Sequence, residues 1–157
     1  MPSRRDQIRM TDDELRDFLL SRYVVSVATI GPNGRPHLVP LWYTADGTEL
    51  SGWTFAKAQK ARNLERDPRA TLQIEAGVEY AELRGVMFEC DVHIERDPDK
   101  VAEYGIALFQ RYSPGEDGEL PDEVRDMVVK QAQKRIGLRF VPTRTVSWDH
   151  RKLGGTY

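Results

Sequence analysis

This sequence predicts an α+β fold, mainly antiparallel β with added helices, and three features predict it. Short runs rich in β-branched and aromatic residues recur at even spacing along the chain. The first of them are joined by Gly31-Pro32-Asn33-Gly34 and Ala45-Asp46-Gly47-Thr48, turn sequences too short to carry a crossover helix. Two later stretches, after Asp97 and after Pro121, switch to a helical period. The runs count to roughly six strands, and evenly spaced antiparallel strands favour a barrel over a doubly wound parallel sheet.

Taken in order, residues 1–10 are polar and read as a flexible lead. Thr11 with Glu14 makes a capping box that opens a helix to about Ser21, with Leu15, Phe18 and Leu19 on one face. Tyr23 to Ile30 is a buried strand and His37 to Thr44 the second. Pro40 cannot donate to a ladder, so it marks an edge, a bulge or a place where another group lies against the backbone. Glu49 to Thr54 returns as the third strand. A helix from about Lys57 to Arg66 stops before Asp67-Pro68.

Arg69 to Glu75 is the fourth strand, and Val78 to Glu95 is long and strand-rich, with Gly85 as a bend or bulge. Asp97-Pro98-Asp99 caps a helix to about Tyr112, and residues 113–120 form a loop. Pro121 suits the first turn of an amphipathic helix running to Ile136. Gly137 to Trp148 is the last strand, and residues 149–157 are a polar tail.

The bulk properties narrow the function. At 157 residues and 18.0 kDa one domain, residues 1–157, is expected. Hydrophobic residues at 39% and charged residues at 31% indicate a soluble globular chain. A net charge of −2 gives no global pull toward nucleic acid or anionic lipid, so any basic site is local. Neither a signal-peptide core nor a membrane-length apolar run is present, which makes cytoplasmic the default. The single cysteine, Cys90, excludes an internal disulfide and lies in the apolar run VMFECDVHI, as a buried small hydrophobe would. His37, His93 and His150 have no metal-ligand spacing. Nucleophile elbow, Walker loop and Rossmann fingerprint are all absent, so no catalytic residue is assigned, and any reactive chemistry belongs to a cofactor.

The most informative stretch is residues 35–68. Thr54, Lys57 and Lys60 place a hydroxyl and two ammonium groups at a helix start, where unpaired amides and the helix dipole favour an anion. The same spacing also suits a solvated helix face. In HLVPLWY a planar ring could lie along the strand, covered by Pro40 and Trp42, though pattern alone favours Trp42 as core. His37 reads either as a proton donor or as a structural residue at a strand start.

These residues resemble a known family. VATIGPNGRPHLVPLWY, followed by WTFAKAQKARNLERDPRATL, is similar to the pyridoxamine 5′-phosphate oxidase-like split β-barrel proteins, within them the flavin/deazaflavin oxidoreductases of actinobacterial type. The most specific signal is Thr54, then Lys60-Ala61, Leu64 and Pro68. The helices within 97–136 are the most variable portion, read as an insertion.

The resemblance implies a six-stranded split barrel of the FMN-binding kind that forms a homodimer, with cofactor sites at the interface. The ring would lie along Val39, Pro40, Leu41, Trp42 and Tyr43, and Thr54, Lys57 and Lys60 would hold the phosphate. The tail near Trp148 and His150 is one source of residues completing a partner's pocket. The implied activity is reduction of a small conjugated organic molecule using reduced coenzyme F420, whose acidic tail Lys57, Lys60, Arg62 and Arg66 would meet. An FMN-dependent oxidoreductase, or a non-catalytic flavin- or haem-binding protein, is the alternative. Two departures stand out. Ala58-Gln59 replaces the Ser-Arg of the oxidases, and the ending WDHRKLGGTY lacks their Arg-x-His and Arg-Leu patterns.

Overall fold

The computed structural model describes residues 1–155. The last two residues of the expected polar tail lie outside the described residues. Ser3 caps a short helix, α1 (Arg4–Ile8), by accepting from the Asp6 amide, while the Asp6 carboxylate accepts from the Ser3 amide. The lead expected to be flexible therefore carries a reciprocal cap, which polar composition alone concealed. Thr11 and Glu14 cap α2 (Asp12–Ser21) in the same way, and Leu15, Phe18 and Leu19 are its buried face.

The strands β1 (Val25–Ile30), β2 (Pro36–Leu41), β3 (Thr44–Asp46) and β4 (Glu49–Phe55) follow, then α3 (Gln59–Arg66) and β5 (Arg69–Ala76). A 3-10 turn at Tyr80–Glu82 leads into β6 (Arg84–Glu95). Next come α4 (Pro98–Tyr112), α5 (Asp122–Ala132), β7 (Arg135–Asp149) and a 3-10 turn at His150–Leu153. No helix among the described residues is long and apolar enough to cross a membrane.

All neighbours in the sheet are antiparallel, in the order β2-β1-β5-β6-β7-β4-β3. The strand count is seven, not six. The second strand ends at Leu41, and Thr44–Asp46, read as strand end and turn, pairs with Glu49–Ser51 as a separate strand. β2 and β3 stand at opposite edges of the sheet, yet only Trp42 and Tyr43 separate them in sequence. Two residues cannot span a flat seven-stranded sheet, so the sheet curls into a half-barrel.

Inside it, β5 alternates exposed and buried residues along its whole length, turning Ala70, Leu72, Ile74 and Ala76 inward. Tyr43, Leu50, Phe88 and Phe140 are fully buried, each such side chain contributing about 1.5–3 kcal/mol. A second cluster joins Trp53 to Val101, Leu108, Val128 and Ala132 of α4 and α5.

Three boundaries differ from expectation. The irregularity in β6 falls between Glu89 and Cys90, where Thr143 is the extra residue opposite and Pro142 needs no ladder donor, not at Gly85. Gly85 is small for another reason: a Cβ there would lie 2.5 Å from the Trp148 ring. The last helix ends at Ala132 rather than Ile136, because Arg135 and Ile136 pair with Phe55 and Thr54. Helix α3 begins at Gln59, so Lys57 lies in the turn before it.

Candidate functional site

The corner between the two sheet edges is held by a knot of hydrogen bonds. Tyr43 is fully buried, and its hydroxyl lies 2.6 Å from the Leu19 carbonyl and 2.8 Å from that of Arg22, at the end of α2. The Tyr112 hydroxyl accepts from the Tyr43 amide at 2.9 Å and donates to the Tyr23 carbonyl at 2.6 Å. Between them the Arg111 guanidinium donates to the carbonyls of Leu19, Arg22 and Tyr43 and lies over the Tyr23, Tyr43 and Tyr112 rings. A cation at the carbonyl end of α2 also faces the negative end of that helix's dipole.

The knot fixes Trp42. Its ring stacks on Tyr112, centroids 4.3 Å apart and planes 10° from parallel, and meets Phe109 edge to face at 6.4 Å. It remains 46% exposed, so it is neither core nor loose. Beside it opens a groove of about 510 Å³, within the range of small-molecule sites. Pro40, Leu41 and Trp42 form one side, and Trp53 and Phe55 of β4 the other. Leu108 and Phe109 of α4 and Met127 and Gln131 of α5 complete the apolar lining, with Arg135 of β7 at its edge.

Trp53 keeps its place through a close approach. A Cβ on Gly105 of α4 would lie 2.4 Å from the Trp53 ring, so only glycine lets helix and indole meet here.

The cations gather next to this groove. β4 ends at Phe55, the Ala56 amide donates to the Lys134 carbonyl at 2.9 Å, and Ala58 stands at the N-cap of α3 with no side-chain cap. The first amides of α3 are thus left for another acceptor. Asn63, wholly buried, donates to the Thr29 hydroxyl at 3.0 Å and accepts from Gln59 at 2.8 Å, which pins α3 to β1. Burial, with the charge of Arg135 adding to it, holds the Lys60 ammonium below its ordinary 10.5. The Arg135 guanidinium carbon lies 3.9 Å from the Phe55 ring centroid and 4.6 Å from that of Trp53, and its buried Nε has no partner. Among the described residues no carboxylate pairs with Lys57, Lys60, Arg62 or Arg135.

The predicted site residues separate into groups. Pro40, Leu41 and Trp42 line the groove. Val39 is half-buried, pairs with Val27 and offers its main chain rather than its side chain. Thr54 is buried at the end of β4, Lys60 half-buried and Lys57 exposed. Tyr43 is enclosed in the knot and is not part of the exposed platform. Arg66 stays exposed but donates to the Ile30 carbonyl at 2.6 Å, which ties its guanidinium to the end of β1. The half-buried His37 is outside the groove lining, and the His150 Nδ1 lies 2.9 Å from the Tyr80 carbonyl of its own chain.

Sequence reading did not place Trp53, Phe55, Leu108, Phe109, Met127, Gln131 or Arg135 in the site. The first six look like ordinary core or surface positions, and Arg135 falls in a run, QAQKRI, that continues a helical pattern. The residues present fit a planar, phosphorylated group: an aromatic groove, uncapped helix amides and unpaired cations.

Known proteins share this fold. A conserved hypothetical protein from Mycobacterium tuberculosis is 42% identical, with 99% of this chain and 95% of that one covered and a TM-score of 0.88. A protein described as an F420 reductase is 25% identical over 81% of this chain and 92% of its own, with a TM-score of 0.61. The heme storage protein HutZ from Vibrio cholerae, 19% identical, covers 86% and 93% with a TM-score of 0.66 and shares the fold. No curated protein matches the chain. The sequence profile of the family described as pyridoxamine 5′-phosphate oxidase matches residues 11–146, nearly the whole sheet and all the residues around the groove. By that match and by its identity to the mycobacterial protein, the chain belongs to the pyridoxamine 5′-phosphate oxidase family.

Proposed function

We propose that this protein is a cofactor-dependent oxidoreductase, a reductase that uses reduced coenzyme F420 to transfer hydride to a small conjugated organic molecule. The observation that carries the reading is the juxtaposition of an aromatic groove with cations that lack carboxylate partners. Similarity to a protein described as an F420 reductase supports the choice of cofactor. When bound, the cofactor supplies the hydride chemistry. The chain's own residues bind and orient it.

Thr54 and Lys60, with the uncapped first turn of α3, hold the phosphate, and Lys57 adds charge from the turn. Exposed Arg62, together with Lys57, meets the acidic tail. The main chain of Val39 to Trp42 flanks the ring, and Trp42, fixed by its stack on Tyr112, covers it. Leu108, Phe109 and Met127 exclude water from the reacting face.

FMN is the second reading, favoured by one observation. With Arg66 tied to the Ile30 carbonyl, the cations left suffice for a single phosphate. A haem held in the groove is disfavoured, because none of His37, His93 and His150 lines it.

The same reading makes the protein a homodimer. Leu38 on the outer face of β2 is 67% exposed beside Pro40, an apolar strip for a second copy to cover. Light scattering gives the mass, and Leu38→Glu is expected to shift it to that of the monomer.

Titration with F420 and with FMN, each oxidised and reduced, followed by absorbance and fluorescence, tests the cofactor. Tighter binding of F420 supports the leading reading, and tighter binding of FMN the second. Binding of neither removes both.

A further inference from the structure

Arg135 is the one cation of the cluster that lines the groove itself; Thr54, Lys57 and Lys60 do not. It stands at the first position of β7, just beyond the end of α5, opposite Phe55 in the ladder. Its guanidinium lies over Phe55 and Trp53, against the aromatic wall. The remaining polar group of the lining, Gln131, is half-buried on α5.

A guanidinium carries five donors and no acceptor, and a buried one is ordinarily matched by carbonyls or a carboxylate. Here the Nε is buried without a partner, and no acidic side chain among the described residues closes on the group. Its own chain leaves this charge unmatched, at the edge of a groove whose other walls are apolar. The complementary occupant has a flat apolar body for Phe55 and Phe109, across the groove from Trp42, and an acidic substituent for Arg135.

We propose that the groove takes planar, conjugated molecules bearing a carboxylate or similar anionic group, and that Arg135 determines this specificity. Calling that molecule the substrate rests on the oxidoreductase reading; the preference for an anion does not. Lys60 and Arg135 then divide the work. Lys60 outside the groove serves the cofactor phosphate, and Arg135 inside it serves the substrate's acid.

A matched pair of fluorescent probes tests this on the purified full chain: anilinonaphthalene sulfonate, aromatic and anionic with a flat naphthalene unit, and phenylnaphthylamine, the same rings without the sulfonate. The anionic probe is expected to bind at least about tenfold more tightly, the scale of a charge-assisted hydrogen bond. Arg135→Met keeps the bulk over Phe55 and is expected to erase that preference while phenylnaphthylamine binds as before. Arg135→Lys is expected to restore part of it.

Equal binding of the two probes, or a preference that survives Arg135→Met, overturns the proposal. So does a loss of cofactor affinity in Arg135→Met as large as that in Lys60→Ala, because Arg135 would then belong to the phosphate site. The two readings fail separately. If neither cofactor binds but the probe preference follows Arg135, the anion groove stands and the oxidoreductase reading falls. If a cofactor binds and the probes are not distinguished, the reverse holds.

Discussion

Two arginines in this protein each lie over aromatic rings, and they have opposite surroundings. Arg111 donates to four main-chain carbonyls at the corner and spans three tyrosines. Arg135 spans Trp53 and Phe55 and leaves its buried Nε unmatched. Stacking on aromatics therefore does not separate a structural arginine from a binding one. The state of the donors does. A guanidinium satisfied by carbonyls holds the fold, while one left unsatisfied holds unfavourable free energy that a ligand can relieve.

The largest expected effect breaks the satisfied member. Arg111→Met removes a charged donor from the Leu19, Leu20, Arg22 and Tyr43 carbonyls at a half-buried site and leaves them only the Tyr43 and Tyr112 hydroxyls to share, which costs about 3 kcal/mol. For a chain of this size that lowers Tm by roughly 6–12 °C. Arg135→Met removes no hydrogen bond; the loss of its contacts with the Trp53 and Phe55 rings, about 1 kcal/mol, is offset by removal of the unmatched Nε, and Tm is expected to change far less. Calorimetry on the two variants decides, and equal losses would erase the distinction.

The next effect concerns Lys60, which like Arg135 has no carboxylate partner. Lys60→Ala is expected to weaken cofactor binding by about 1.5–3 kcal/mol, as loss of a charge-assisted contact does. The same change removes a half-buried cation that its own fold does not match, so Tm is expected to hold or rise. Unaltered affinity on titration would place the phosphate elsewhere.

How much of this was legible in the sequence follows the same division. The caps of Thr11 and Asp97 were readable, because donor and acceptor lie within three residues. The three-residue strand β3 was not, since its state is set by its partner Glu49–Ser51. The start of β7 was hidden for the same reason: QAQKRI is helical locally, and only pairing with β4 converts Arg135 and Ile136 to strand. Lys60 and Thr54 were singled out by a local pattern, a hydroxyl and an ammonium near a helix start. Arg111 escaped because its acceptors are main-chain carbonyls some ninety positions away, which leave no mark on side-chain identity. Arg135 escaped because its aromatic wall comes from Trp53 and Phe55, far away in sequence.

A smaller effect sharpens the contrast through pH. Burial and the nearby Arg135 hold Lys60 below its ordinary 10.5 in the free protein. A bound phosphate favours the ammonium and raises that value again. Cofactor affinity is therefore expected to be flat near neutrality and to fall as pH rises through the depressed value, by at most about tenfold per pH unit. The sign for stability is the reverse. The charged form is disfavoured in the fold, so the destabilisation is present below the depressed value and disappears as pH rises toward 10.5. Lys60→Arg stays charged throughout and is expected to flatten the alkaline fall in affinity. A fall that persists in Lys60→Arg would assign the titration to another group.

The smallest effect belongs to a buried group that carries neither charge nor a donor network. Cys90 is 3% exposed among core residues of β6, and burial, with a lesser push from the Asp91 carboxylate, raises its thiol to about 12. Its thiolate is essentially absent at neutral pH, so a thiol reagent should react with the native protein far more slowly than with the unfolded chain. Cys90→Ser exchanges a weakly polar atom for a hydroxyl that needs a partner there, a cost of about 1–2 kcal/mol. Both probe binding and cofactor affinity should be unchanged, because Cys90 lies on β6, away from the groove of Trp42, Phe55 and Arg135. Rapid labelling of the native thiol, or a shift in cofactor affinity beyond about twofold, would mean that the core around β6 opens or is coupled to the site. The contrast between matched and unmatched groups would then no longer be enough to sort structural residues from functional ones.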